Sequence, residues 1–253
     1  MRPLVLFVAA YTIILILHES AHAVTAYVLK VPFVLYHLYV QIEPAARTLN
    51  QRAIIGVSGP LFCLAAGLAC WLAYHKTRNG RAGLWLLYLG WFGIATLLGN
   101  LMSTAYVGDF SALARVFEAP MPVRYAVTLF GALSICAFAF LMGKKLRNWA
   151  PAGVSRLTAL IGMIAVPAVA GTAFALLIYL PMPFEIAVGR IGESSFWIFA
   201  AVGLLLTRKH GSESNHPQPG NSQNLSLSWG DVSILLIAIG VVRVMATGIR
   251  FVP

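Results

Sequence analysis

A His-Glu-x-x-His motif lies within the stretch Leu15-Ile16-Leu17-His18-Glu19-Ser20-Ala21-His22-Ala23-Val24, in which most other residues are apolar. The apolar run around it covers residues 3–29 and is long enough for a membrane-spanning helix. Acidic and imidazole groups are costly to place in hydrocarbon, so their presence in such a helix indicates a function. We therefore expect the rest of the chain to be organised around this motif.

The polar side chains of the motif share one sector of the predicted helix. At about 100° per residue, His22 lies roughly 40° around the helix axis from His18, and Glu19 lies roughly 100° from it. Two imidazoles one helical turn apart can bind zinc, and the neighbouring glutamate can take a proton from a water at the metal. The alternative interpretation is a pair of histidines that only pack between helices, with a carboxylate satisfied by a hydrogen bond.

The composition of the chain is that of a membrane protein. Of its 253 residues, 59% are hydrophobic and 10% are charged, and the mean hydropathy is +0.81. The net charge of +10 would suggest a nucleic-acid partner for a soluble domain. Here the basic residues lie in short loops between apolar runs, a distribution typical of proteins anchored in a bilayer. We therefore expect lipid around the protein and no nucleic acid as a partner.

The apolar runs predict an all-α polytopic protein with about six to seven transmembrane helices. The predicted spans cover residues 4–29, 52–74, 83–107, 123–142, 156–180, 190–207 and 230–249. A polar stretch at 208–228 predicts a flexible linker. We expect a multi-pass protein of the plasma membrane.

One segment after the first span does not fit a helix. Residues 33–42 are rich in β-branched and aromatic residues and are too short to cross a membrane as a helix. They predict a short membrane-associated strand or hairpin. Open strand edges are not tolerated in lipid, so this segment must be shielded by protein or lie at the membrane surface.

Asp109 is the acidic residue that the topology brings closest to the motif. It follows the third predicted span, and two further crossings return the chain to the side on which His18 and His22 lie. The histidines are several turns deep, so the end of the third span must turn inward or unwind for Asp109 to reach them. The alternative is an N-cap for the short amphipathic stretch that follows, a common role of aspartate.

These features together resemble the site-2 protease family of intramembrane zinc metalloproteases. The resemblance covers roughly residues 1–115 and rests on the His-Glu-x-x-His motif, the strand-like segment, and three further features: Ser58-Gly59-Pro60 at the start of the second span, and Asn100 and Gly108-Asp109 at the end of the third. The order of the last pair differs from the family, in which glycine usually follows the aspartate. The resemblance therefore indicates a distant member.

The resemblance implies a function and a set of roles. It implies a zinc metalloendopeptidase that cleaves membrane-embedded protein substrates, with His18, His22 and Asp109 as zinc ligands and Glu19 as the catalytic base. It further implies that Asn100 contacts the substrate and that the strand segment receives unwound substrate by strand addition. On this basis residues 1–115 form a metalloprotease-like three-helix core, and residues 116–253 add transmembrane helices of unknown role.

Three other interpretations stay open at this stage. The first is a proteolytically inactive relative that acts as a membrane-protein binding module, and the second is a metal-ion transporter that uses the same cluster as a transit site. The third is a membrane metalloprotease that completes the motif with a distant glutamate. The glutamates available for that role are Glu43, Glu118, Glu185 and Glu193.

Overall fold

The computed structural model describes residues 1–42, 48–77, 81–150, 154–180, 196–207 and 226–252. Within these ranges, six helices are long and apolar enough to cross a membrane, and three short strands form a small sheet. The predicted fold class, an all-α polytopic membrane protein with a short β element after the first helix, is confirmed.

The helices follow the predicted spans closely. They are α1 (Arg2–Val28), α2 (Leu49–Lys76), α3 (Arg81–Met102), α4 (Asp109–Val116), α5 (Met121–Trp149), α6 (Arg156–Leu160), α7 (Val166–Ile178), α8 (Trp197–Leu206) and α9 (Trp229–Ala246). A π-helical turn at Ile161–Ala165 joins α6 to α7, and the two together make one span. The helix α8 is apolar but only ten residues long. The predicted linker at 208–228 and the first part of the sixth predicted span lie largely outside the described residues.

The helix that carries the motif lies at the centre of the bundle. More than half of the most apolar part of α1 is buried, 56%, against 28% for α2 and 22% for α9. Its neighbours are α2, α3, α7 and α9. A helix that is apolar on all sides is stable when other helices cover it, and α1 meets that condition. The ionisable groups of the motif are therefore held inside the protein and not against lipid.

The predicted strand segment forms a hairpin that gains a third strand. Strand β1 (Phe33–Leu35) pairs antiparallel with β2 (Val40–Ile42) on one side and with β3 (Ile249–Phe251) on the other. The third strand was not predicted: the last span was expected to continue to residue 249, but α9 ends at Ala246. Aromatic stacking of Phe33 on Phe251, with ring centroids 5.0 Å apart, fixes the pairing of β1 with β3.

The third span ends earlier than predicted, and this difference shapes the site. We expected the span to run to residue 107, whereas α3 ends at Met102 and a turn over residues 103–108 leads into α4. The hydroxyls of Ser103 and Thr104 both donate to the Asn100 carbonyl oxygen, which the end of the helix leaves without its usual partner. This early end is the inward turn that Asp109 needs in order to reach the histidines.

Candidate metal centre

Three side chains from two parts of the chain converge on one point. The Nε2 atoms of His18 and His22 are 3.1 Å apart, and they lie 3.1 Å and 3.5 Å from Asp109 Oδ2. His18 and His22 are buried, and Asp109 is partly buried. The structure thus brings together all three residues that were predicted as metal ligands, and the group could hold a metal ion.

The spacing of these atoms matches the requirements of a tetrahedral zinc site. Zinc binds imidazole nitrogen and carboxylate oxygen at about 2.0–2.1 Å, so two ligand atoms of a tetrahedron are about 3.3 Å apart. The three separations in the cluster, 3.1, 3.1 and 3.5 Å, lie on both sides of this value. Three protein ligands also leave a fourth position open, as catalytic zinc sites do.

The outer nitrogen of each imidazole is already engaged, so that Nε2 faces the cluster. The Nδ1–H of His22 donates to the Ile55 carbonyl oxygen at 2.6 Å. His18 Nδ1 lies 3.8 Å from Cys63 Sγ, whose own S–H points to the Ile14 carbonyl oxygen at 3.5 Å. Such second partners fix the tautomer of metal-binding histidines and orient the ring.

This arrangement places three electron-pair donors around one small space. With hydrogen on both Nδ1 atoms, His18, His22 and Asp109 all present lone pairs to each other. Buried acceptors that meet without a hydrogen between them repel, and the arrangement is stable only when a proton or a cation lies among them. The donor set, two imidazoles and one carboxylate, is suited to zinc.

Asp109 is ionised in this environment. Burial would raise the pKa of the Asp109 carboxyl. With a proton among the three side chains, the hydrogen bond with His18, the 3.5 Å contact with His22 and the positive charge that the proton brings outweigh burial and hold the pKa of Asp109 well below its usual value. Its side chain therefore acts as an anion between the imidazoles. It does not cap α4, which was the alternative role considered for it, because the helix has no side-chain cap.

The turn before α4 aims Asp109 at the histidines. Gly108 has φ +93°, a conformation that side chains disfavour, and a Cβ there would also lie 3.1 Å from Ser103 Oγ. The Asp109 N–H donates to Asn100 Oδ1 at 3.2 Å, and the Asn100 amide donates to the Thr96 carbonyl oxygen at 3.1 Å. Glycine therefore precedes the aspartate for a conformational reason, and Asn100 positions the ligand. A substrate contact by Asn100 stays a prediction.

The second span comes unusually close to the motif at Gly59. A Cβ on this residue would overlap the His22 ring, and it would lie 2.9 Å from His18 Cε1. Next to it, the Ser58 hydroxyl donates to the Ile55 carbonyl oxygen, the same oxygen that accepts from His22. The Ser-Gly-Pro signal noted in the sequence thus marks the wall of the metal cluster. The Ile55 carbonyl was missed because a backbone acceptor leaves no mark in a sequence.

Glu19 is placed beside the cluster. It is only 4% exposed, and it is close enough to interact electrostatically with His22 and with Cys63. Of the four glutamates considered as distant ligands, Glu118 is exposed after α4 and is not part of the cluster, and Glu43, Glu185 and Glu193 lie outside the described residues.

A cavity adjoins the cluster on the side of His18. It has a volume of about 90 Å³ and is lined by residues of α1, α3, α5, α7 and α8. Its polar end is formed by His18 and Asn100, and most of its wall is apolar or aromatic. No known protein family, curated protein or solved structure matches this chain.

Proposed function

We propose that this protein is an intramembrane zinc metalloprotease, a distant member of the site-2 protease family, that hydrolyses peptide bonds of membrane-embedded protein substrates. The observation that carries the proposal is the convergence of His18, His22 and Asp109 beside the buried carboxyl group of Glu19. Two imidazoles and a carboxylate with an adjacent glutamate are the residue types that metal-assisted hydrolysis requires. A bundle of six apolar spans around this site supports a substrate within the membrane.

Each residue of the site has a role in this proposal. A zinc ion, when bound, supplies Lewis-acid chemistry, which polarises a carbonyl group and makes water more acidic. His18, His22 and Asp109 hold the ion. The Ile55 carbonyl, Cys63 Sγ and Asn100 Oδ1, which contact His22, His18 and Asp109 respectively, keep these ligands in place. Glu19 accepts a proton from the attacking water and returns it to the leaving amine.

The buried position of the site sets a condition on the substrate. The carbonyl groups of an intact helix are engaged in hydrogen bonds of that helix, so the substrate must unwind at the bond to be cleaved. The proposed substrates are therefore membrane spans that contain helix-breaking residues near the scissile bond. We propose the plasma membrane as the location, because the excess of basic residues in the chain favours contact with an anionic leaflet.

The first experiment is a metal analysis of the detergent-purified protein. About one zinc per chain is expected in the wild type, with zinc depleted in Asp109→Ala and absent in the His18→Ala/His22→Ala double mutant. Glu19→Gln is the matched variant that keeps the ligands but removes the base. It should retain zinc and lose cleavage of single-span peptides that carry a central Asn-Pro pair. Cleavage retained by purified Glu19→Gln would refute the mechanism.

The other functions predict different results in the same preparation. An inactive relative would bind membrane partners but leave every peptide intact in both the wild type and Glu19→Gln. A transporter would carry zinc into liposomes at a rate that depends on His18 and His22. Protease activity without zinc flux is the result that we expect.

A further inference from the structure

We infer that the cavity beside His18 is the pocket that binds a large apolar side chain of the substrate next to the scissile bond. This inference rests on the proposed function, since it assigns the substrate preference of the same site. We refer to this cavity as the side-chain pocket. Its lining residues on α1 are Phe7, Tyr11, Ile14, Leu15 and His18.

The shape of the side-chain pocket follows from these positions. The α1 residues that line it recur every three or four positions and therefore lie on one face of the helix. Phe7 precedes His18 by eleven positions, so the α1 residues that line the pocket span about 16 Å along the helix from the metal cluster. Only one end of the pocket is at the cluster. A group in the pocket is therefore attached to a part of the substrate that lies at the metal.

The chemistry of the wall selects an uncharged, apolar group. The described residues that line the pocket include no aspartate, glutamate, lysine or arginine, and the wall is dominated by aromatic rings such as Tyr11, Phe92 and Trp197. The Thr96 hydroxyl donates to the Phe92 carbonyl oxygen at 2.7 Å, so its hydrogen is already engaged. A charged side chain would lose its hydration there without gaining a partner.

The size of the pocket admits a side chain and excludes a helix. A volume of about 90 Å³ suits one large side chain, whereas an α-helix with its side chains is about 10–12 Å wide. In an extended segment, successive side chains point to opposite sides. A carbonyl at the metal cluster thus places one neighbouring side chain toward the pocket and the next one away from it. The pocket therefore selects the side chain at only one residue position of the substrate.

The expected preference can be measured with a peptide series. The peptides are lysine-flanked single spans with a central Asn-Pro pair. The bond that the wild type cleaves is mapped first, and one residue beside that bond is then varied as Gly, Ala, Leu or Phe. A substrate side chain that is longer or shorter by a methylene group in an apolar pocket changes kcat/KM by about 10–200-fold. We expect the Leu and Phe peptides to be cleaved at least tenfold faster than the Gly peptide. Equal rates across the series would overturn the inference.

Two alanines of α7 provide a matched pair of variants. Ala175 lines the pocket and is 4% exposed, whereas Ala173, on the same helix, is exposed away from it. Ala175→Leu should fill part of the pocket and slow cleavage of the Phe peptide about tenfold more than cleavage of the Ala peptide. Ala173→Leu should behave as the wild type. Ala95→Leu fills the pocket from α3 and serves if Ala175→Leu does not fold.

A crosslinking experiment separates this inference from the proposed function. A peptide with a diazirine analogue of leucine at the selected position is bound to Glu19→Gln, irradiated and mapped by mass spectrometry. We expect crosslinks at Ile14 or Thr96, the lining residues one helical turn from His18 and Asn100, and these crosslinks should disappear when Ala175→Leu is added. Such crosslinks without cleavage by the wild type would refute the protease but would show that the pocket binds an apolar side chain of the peptide. A parallel labelling with a diazirine phospholipid tests whether lipid fills the pocket. Cleavage without peptide crosslinks, or labelling of the pocket by the phospholipid alone, would refute the pocket and keep the protease.

Discussion

The contact between Gly59 and the two histidines gives the sharpest test of the metal centre. A Cβ at this position would lie 2.7 Å from His22 Cε1 and 2.9 Å from His18 Cε1, where ordinary contacts begin at 3.4 Å. Gly59→Ala therefore forces shifts of about 0.7 and 0.5 Å at these two carbons and a larger one at His22 Nε2, which the new Cβ would meet first, shared between the imidazoles and the helix. Metal–ligand distances tolerate about 0.2 Å. We expect the substitution to displace at least one ligand from its bonding position.

The expected loss of zinc affinity is about 10–100-fold, the range found when the partners that orient metal ligands are removed. The assay is a competition titration of the purified protein against a zinc chelator with a known dissociation constant. A second readout is the stabilisation by zinc against heat, which falls by about 1.4 kcal/mol for each tenfold loss of affinity at saturating metal. Both readouts report binding and do not require a substrate.

Gly56→Ala is the matched control for this prediction. Gly56 lies less than one turn earlier on α2, and a Cβ there would meet nothing within 4 Å. Both substitutions favour the helix by up to about 1 kcal/mol, so a difference between them comes from the contact with the histidines. Zinc binding by Gly59→Ala that equals binding by Gly56→Ala would refute the geometry of the centre.

Three further predictions concern residues that act through others. Asn100→Ala removes the side-chain oxygen that accepts a hydrogen bond from the Asp109 backbone N–H, and it should weaken zinc binding about tenfold in the same titration. Cys63→Ala removes the sulfur beside His18 Nδ1 and should weaken it by less than tenfold, and an unchanged affinity would show that this contact does not orient the ring. Arg2→Met leaves the buried carboxylate of Asp231 without its ion-pair partner and should destabilise the protein by about 3–5 kcal/mol in a denaturation assay. Adding Asp231→Asn should restore part of this loss, and no recovery would contradict the pairing.

The candidate site was predictable where local geometry and topology decide the outcome. The helical repeat places His18 and His22 on one face, and the parity of the crossings returns Asp109 to the same side. The cluster that the structure contains therefore has the three residues that the sequence predicted. Their roles in catalysis stay predictions, because residue positions alone do not test a reaction.

The parts that could not be predicted depend on contacts between distant segments. The pairing of β1 with β3 and the ion pair between Arg2 and Asp231 each join residues more than 200 positions apart. Three-residue strands such as β3 carry too little periodicity to be separated from the end of a helix. The early end of α3 at Met102 depends on side-chain hydrogen bonds to the Asn100 carbonyl, which an apolar pattern does not record.

The exposed fraction of the three candidate ligands differs between the two sides of the cluster. The side chains of His18 and His22 are 9% and 7% exposed, whereas that of Asp109 is 28% exposed. The cluster is therefore open on the side of the turn before α4 and closed where it meets α1. The side-chain pocket begins at His18, on the closed side. In the proposed protease, the attacking water would therefore approach from the Asp109 side, and the apolar side chain of the substrate would lie on the His18 side, with the scissile bond between them.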